Sequence, residues 1–237
     1  MFESNAPELW RKYTQQDLLA ATIRVGLSLT GPLGAIAAEF ITEFIPQQRI
    51  DRLTDFVEKL AEVLKESDEQ FKERLSSSNG FAALAEQVAV SAVRTASTDH
   101  RADLAELLKH GLSSSEAEML EEQALLSLRD RINDAQVLLL MNYSNFKPTL
   151  RDGERSAFQQ MHSGLFSINP PPHGSSTEDQ RRWTMREHYE SELATLGLLR
   201  DTEGIAKSGP QRKYEITSLG RLLLQAIGRY RDPMSAV

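Results

Sequence analysis

The feature that most constrains this chain is the spacing of its apolar residues, which recur three and four positions apart through most of its first 145 residues. Within residues 50–64 they fall on one side of a helix, with charged residues on the other. Residues 81–96 also place their apolar residues on one side, after a break at residues 76–80, and further helices are predicted over residues 101–109 and 113–131. Only a helix places such positions on one face, so the pattern predicts an α-helical bundle or array.

Residues typical of helix ends divide this helical part from the rest of the chain. Gly111 predicts the end of one helix, because glycine is favoured just past a helix C-terminus. Ser113 stands three positions before Glu116, the spacing of a capping box at the start of the next helix. We therefore predict a helical domain over residues 1–112, and a connecting helix with a second domain over residues 113–237.

Composition and charge narrow the class of protein. With 40% hydrophobic and 26% charged residues, the chain has the apolar surface that a globular core needs. The absence of cysteine excludes a disulfide framework, a thiolate zinc site and a cysteine nucleophile. A net charge of −7 argues against coating nucleic acid through the overall field. The first residues lack the pattern of a secretory signal, so we expect a cytoplasmic protein.

The most apolar segment, residues 18–45, predicts two helices joined by a tight turn at residues 31–34. Its uncharged run, residues 25–38, has 14 residues, whereas a membrane-spanning helix needs about 20. We favour a buried hairpin of the helical domain. The alternative is a hairpin that inserts into a membrane after a trigger. Its helices are apolar, and their glycine and alanine residues keep them slender.

From residue 134 the pattern changes. Asn133 and Asp134 predict the cap of an apolar helix over residues 135–143, and residues 153–160 offer a second helix. Consecutive prolines at residues 170–172 predict an extended loop, because they cannot continue a helix.

A charged helix is predicted to begin near Thr177, which stands three positions before Gln180, again the spacing of a capping box. Residues 213–216 alternate like a strand, and Thr217 predicts the cap of a closing helix. The predicted order is therefore three helices, a strand, a turn, a strand and a last helix, which can close one small core.

This ending, "LATLGLL…KYEITSLGRLLL", resembles the end of many bacterial winged-helix domains. In those, a third helix finishes in "LGLL", a β-hairpin wing comes next, and the returning strand runs into "T-x-x-G-r-x-L". The likeness covers roughly residues 130–230, and the prolines at 170–172 depart from the usual pattern. It implies a mainly α fold class, with an N-terminal helical bundle or array and a C-terminal winged helix that contains a small antiparallel hairpin.

A helical N-terminal half followed by this ending also resembles bacterial abortive-infection proteins of the Abi-alpha type. That resemblance implies a part in defence against phage. It gives an alternative function, in which an effector engages the membrane through the apolar hairpin at residues 18–45.

In a winged helix that binds DNA, the third helix enters the major groove and the wing contacts the backbone. The candidate nucleic-acid contacts are the basic residues of these two elements: Arg181, Arg182, Arg186, Lys207, Arg212 and Lys213. Residues 198–237 carry seven basic and four acidic residues. Acidic residues on the third helix repel phosphates, however, so a protein partner or a second copy of the chain is favoured over DNA.

Catalytic patterns are absent from the sequence. The five histidines are scattered, without the H-E-x-x-H spacing of a zinc site. The sequence G-x-S-x-G is missing, and no Lys-Ser or Lys-Thr follows the glycines at residues 31–34. We therefore expect a binding protein without cofactor or metal rather than an enzyme.

Overall fold

The computed structural model describes five stretches of the chain: residues 47–65, 67–144, 152–166, 176–202 and 214–230.

The described residues are mainly helical and include one small antiparallel sheet of two strands. The prediction of a mainly α fold is confirmed at this level. The chain divides into two compact units, unit 1 (Met1–Leu126) and unit 2 (Ser127–Val237). The division lies inside a helix, whereas the sequence places it between residues 112 and 113.

Unit 1 is a packed set of helices. Its first helix contacts the third and fourth, and the third also contacts the second and fourth. The core is made by large apolar side chains that are almost fully buried, such as Phe56, Phe81, Leu84 and Leu104. The helices are α1 (Gln47–Val63), α2 (Asp68–Ser77), α3 (Asn79–Arg94), α4 (Thr98–His110) and α5 (Met119–Arg131), the last of which continues into unit 2.

Serine caps fix the starts of α3 and α4. The Ser78 hydroxyl accepts from the Phe81 amide at 3.0 Å, and the Ser97 hydroxyl accepts from the His100 amide at 3.0 Å. Both helices begin before their first periodic apolar residue, because an N-cap precedes the apolar face. The sequence pattern missed α2, although Phe71 and Leu75 lie one turn apart on its buried side.

The predicted capping box of Ser113 with Glu116 is wrong. The Ser113 hydroxyl donates to the His110 carbonyl at 3.2 Å, and the Glu118 carboxylate accepts from the Ser115 amide at 2.6 Å. Three consecutive serines offer the same spacing more than once, so spacing alone could not choose between them. Glu116 instead lies beside Gly80 at the start of α3.

Two arginines tie the helices of unit 1 together. The Arg101 side chain, buried on α4, contacts the Asp55 carboxylate on α1 and donates to the Thr95 carbonyl at 3.1 Å. Arg52 on α1 donates to the carbonyls of Val93 and Arg94 at 3.4 and 3.3 Å. Burial raises the pKa of Asp55, but the hydrogen bond and charge of Arg101, and then those of Lys59, outweigh this and hold the pKa below its ordinary value.

Unit 2 combines helices with the small sheet. The strands pair antiparallel, with Leu199 opposite Ile216 and Asp201 opposite Tyr214. Helix α6 contacts α9, α10 and β2, so the unit packs around it. The elements are α6 (Asp134–Ser144), α7 (Asp152–Met161), α8 (Ser163–Phe166), α9 (Thr177–Thr195), β1 (Leu199–Asp201), β2 (Tyr214–Ile216) and α10 (Ser218–Ala226).

The caps of unit 2 match the predictions in part. Asn133 and Gln136 form a reciprocal box at the start of α6, with bonds of 3.0 and 2.9 Å. The predicted cap at Thr177 is wrong by one residue, because the Ser176 hydroxyl accepts from the Asp179 amide at 3.1 Å. Helix α9 itself begins at Thr177.

A glycine turn joins α9 to β1. Gly197 has a φ of +72°, in the left-handed region that favours glycine. The Leu198 amide then donates to the Leu193 carbonyl at 2.9 Å, and the Gly197 amide to the Ala194 carbonyl at 3.0 Å. These are the two bonds of a Schellman motif, which ends α9 and turns the chain into the strand.

Thr217 and Gly220 close the other side of this turn. The Thr217 hydroxyl donates to the Gly197 carbonyl at 2.7 Å and accepts from the Gly220 amide at 3.1 Å, which confirms the predicted cap of α10. A Cβ at Gly220 would lie 2.4 Å from the Leu198 carbonyl oxygen. The spacing T-x-x-G therefore serves one backbone junction: the threonine caps the helix and the glycine lets the chain approach.

Candidate recognition helix

Three of the predicted nucleic-acid contacts lie on α9, and each has a different setting. Arg182 is half exposed, and its Nε lies 3.0 Å from the Glu178 carboxylate one turn earlier. The Nε of Arg186 lies 3.0 Å from the Glu190 carboxylate, with only 21% of the Arg186 side chain exposed. Arg181 is exposed and has no ion-pair partner among the described residues. Of the three, Arg181 is the one left to meet a partner's charge.

Arg186 belongs to the inner side of α9. Its partner Glu190 is buried and accepts a hydrogen bond of 2.9 Å from the Tyr143 hydroxyl on α6. The Arg186 guanidinium lies 6.0 Å from the centre of the Phe166 ring on α8, at cation–π distance. Burial raises the pKa of Tyr143, and the charge of Glu190 raises it further, so the hydroxyl remains a donor. Arg186 therefore anchors α9 to its own unit.

The charge of α9 is unfavourable for phosphate contact. The helix carries five acidic residues and three arginines. Near its C-terminal end, the Glu192 carboxylate accepts from the Gln136 amide at 2.9 Å and lies 3.4 Å from the His188 Nε2. Carboxylates thus alternate with cations along the exposed side, which is typical of a surface that meets another protein or solvent.

The predicted wing contacts, Lys207, Arg212 and Lys213, lie outside the described residues, as does the apolar hairpin at residues 18–45. On the described strand pair, Arg200 on β1 pairs with Glu215 on β2 across the sheet at 2.8 Å. This exposed pair is neutral as a whole, so it adds no net positive charge to the described strands.

Sequence reasoning missed a polar cluster in unit 1, where His110 at the end of α4 meets Glu122 on α5. The His110 Nδ1 lies 3.1 and 3.3 Å from the two carboxylate oxygens, and the Ser114 hydroxyl donates to the same carboxylate at 2.7 Å. The hydrogen bond to Glu122 raises the pKa of His110; burial opposes this and the Glu122 charge supports it. These residues have no regular spacing, because a turn separates them.

A serine, a glutamate and a histidine in contact suggest a hydrolytic triad, but their order differs. In a triad the imidazole lies between the hydroxyl and the carboxylate, so that it can remove the hydroxyl proton. Here the Glu122 carboxylate lies between Ser114 and His110. Arg74 also donates to the Ser114 carbonyl. The cluster fastens the turn between α4 and α5.

The described stretches contain neither a metal-binding cluster nor a membrane-spanning helix. Within them, no group of three or more histidine, aspartate or glutamate side chains gathers where it could hold a metal ion. Of the histidines, His173 lies outside these stretches. None of their helices combines the length and the apolar character that crossing a bilayer needs.

Comparison with protein-family models, curated proteins and solved structures finds no match for this chain. Function must therefore be inferred from the described side chains and their contacts.

Proposed function

We propose that this chain is a non-enzymatic binding protein whose second unit is a winged-helix module used for contacts with protein. The element order of unit 2 supports the winged-helix assignment, because α9 leads through a glycine turn into an antiparallel strand pair and a closing helix. In this assignment α6 and α7 are the first two helices of the module, and the four-residue α8 is an addition. Helix α9 is then the third helix, the one that reads DNA in many relatives of that fold.

The observation that carries the choice of protein over DNA is the neutralisation of the α9 arginines. Arg182 is paired with Glu178, and Arg186 is held inward by Glu190. DNA affinity comes largely from phosphates neutralised by Arg and Lys, so a helix with one unpaired arginine and an acidic excess has little to offer a duplex.

The test is a titration of the full chain with mixed-sequence duplex DNA at low salt, monitored by fluorescence anisotropy. We expect no binding. The matched variant is Glu178→Gln, which releases Arg182 and leaves the rest of α9 unchanged. Binding by the native chain that weakens steeply with salt, and that Arg181→Ala with Arg182→Ala removes, would replace this proposal with a DNA-binding function.

The resemblance to abortive-infection proteins gives an alternative proposal, a phage-defence effector. In that alternative the hairpin at residues 18–45 would engage the membrane. Flotation with anionic and neutral liposomes tests the membrane step, and a chain that remains wholly in the soluble fraction would remove it.

A further inference from the structure

Helix α9 presents one continuous row of exposed side chains, which we call the outer stripe. Its members are spaced alternately by three and four positions, the spacing that keeps one face of a helix toward a partner helix. The outer stripe consists of Glu178, Arg181, Met185, His188, Glu192 and Thr195, all exposed.

The inner side of the same helix is already in use. Glu190 and Leu193 are buried, and Arg186 is held against Phe166. The outer stripe lies beside these contacts on a helix with 3.6 residues per turn, and at its edge the Glu192 carboxylate, 48% exposed, also accepts from the Gln136 amide on α6. All six of its side chains remain exposed in the described part of the chain, and the stripe carries charges of both signs.

The charges of the outer stripe are self-complementary in one orientation. When two copies of α9 cross antiparallel, with the two-fold axis midway between Met185 and His188, Arg181 of each copy lies opposite Glu192 of the other. Met185 then lies opposite His188, and Glu178 opposite Thr195. A parallel pairing would instead set Arg181 against itself and Glu192 against itself, which is repulsive.

We infer that the outer stripe of α9 is a homodimer interface, in which two copies of this chain pair antiparallel about that axis. The inference rests on the proposed function, since it names a second copy of the chain as the protein that unit 2 contacts. The interface is isologous, because each Arg181–Glu192 contact occurs twice by symmetry. With Met185 as its main apolar side chain, the dimer is small, polar and transient.

Charge reversal tests the pairing on the full chain. Sedimentation velocity over a range of concentrations is expected to show a monomer–dimer equilibrium for the native chain. Arg181→Glu or Glu192→Arg alone should weaken dimerisation by roughly tenfold or more, because each sets like charges together twice. The double variant, Arg181→Glu with Glu192→Arg, restores opposite charges at both positions and should recover dimerisation. Circular dichroism checks that each variant folds.

The control is Glu187→Arg, a reversal of the same kind on α9 at an exposed position outside the outer stripe. It should leave dimerisation unchanged. A native chain that stays monomeric at every concentration, or a double variant as weak as the single ones, would overturn the inference. Neither outcome changes the result expected in the DNA titration, so failure of the dimer and failure of the proposed function remain distinguishable.

Cross-linking separates the antiparallel pair from a parallel one, because the chain has no native cysteine. In the antiparallel pair, Met185 lies about 4.5 Å along the axis from its symmetry mate, whereas Thr195 lies about 25 Å from its own, at 1.5 Å per residue. Met185→Cys should therefore form a disulfide-linked dimer under mild oxidation, and Thr195→Cys should not. Equal linking of both variants would contradict the antiparallel arrangement.

Discussion

The two units are fastened in different ways. In unit 1, side chains reach between helices that are distant in sequence: Arg52 contacts a carbonyl 41 residues away, and Arg101 contacts a carboxylate 46 residues away. Unit 2 has long-range side-chain contacts as well, such as that of Tyr143 with Glu190, but it is closed by a backbone junction, where Thr217 and Gly220 meet the end of α9. Long side chains can adjust their torsions, but a carbonyl against a helix backbone cannot, so the two units should tolerate change differently.

The largest effect is expected at the junction. Gly220→Ala places a Cβ 2.4 Å from the Leu198 carbonyl oxygen and 2.8 Å from the Ile216 Cγ1. We expect a loss of about 3 kcal/mol in the free energy of unfolding of unit 2, since the Leu198 carbonyl, which accepts from the Thr217 amide at 3.1 Å, cannot move away without disturbing the strand pair. Urea unfolding monitored by Trp183 fluorescence, in a Trp10→Phe background, measures this loss.

Gly164→Ala in α8 is the matched control, because a Cβ there meets no atom of the described residues within 4 Å. Alanine should be neutral at this position, or favourable by up to about 1 kcal/mol through its helix propensity. Equal effects of the two substitutions would mean that close approach at Gly220 does not limit unit 2.

A smaller effect is expected for the side-chain tie of unit 1. Arg101→Met removes the contact with Asp55 and the bonds to the Thr95 carbonyl and the Thr98 hydroxyl. We expect unit 1 to lose about 2 kcal/mol, because the half-buried carboxylate is left without its main partner. Thermal unfolding monitored by circular dichroism provides the measurement.

Lys59→Met serves as the comparison for Arg101→Met, because Lys59 also lies within 3.4 Å of the Asp55 carboxylate but on the same helix. A partly exposed pair of this kind contributes about 0.5 kcal/mol or less. If both variants lose the same stability, the buried Arg101–Asp55 contact contributes no more than the partly exposed Lys59–Asp55 pair, and the contrast between the units disappears.

The smallest effect is pH dependent and belongs to His110. The pKa of His110 is raised in the folded state above its ordinary value of 6.5. The contribution to stability is therefore complete below 6.5 and is lost as the pH rises through the folded pKa. In His110→Gln this part of the pH dependence should vanish, as measured by urea midpoints across that interval.

Ser114→Ala keeps the histidine and removes only the hydroxyl that shares Glu122, so the pH dependence should persist in this variant. A native chain whose midpoint does not fall with rising pH over the same interval would show that the contact between α4 and α5 does not contribute in this way.

The sequence predicted those parts of the fold that depend on local spacing. The apolar period predicts α1, α3 and α4, and Thr217 predicts the start of α10, because these signals act within one or two turns. The caps near Ser113 and Thr177 were misplaced, since neighbouring hydroxyls satisfy the same spacing. The choice between them is made by tertiary contacts, such as that of Glu116 with the start of α3.

The candidate interface was predictable only in part. The arginines of α9 could be named from the sequence, but not which of them would be neutralised. Glu190 and Arg186 are four residues apart, as are Glu178 and Arg182, so the sequence treats the two pairs alike. They differ because the buried Glu190 carboxylate accepts a hydrogen bond from Tyr143. That contact joins residues 47 positions apart, so local spacing could not predict it.

The junction at Thr217 and Gly220 also bears on how the family resemblance should be used. Two motifs suggest a winged helix: a leucine-rich helix end and T-x-x-G. Both are also required by the backbone geometry wherever a helix, a tight turn and a capped helix meet this closely. Unrelated chains can arrive at them independently. A saturation mutagenesis screen would therefore find positions 217 and 220 intolerant of substitution even when it selects for folding alone. Such intolerance would reflect the packing of this backbone junction rather than a binding partner shared with other proteins.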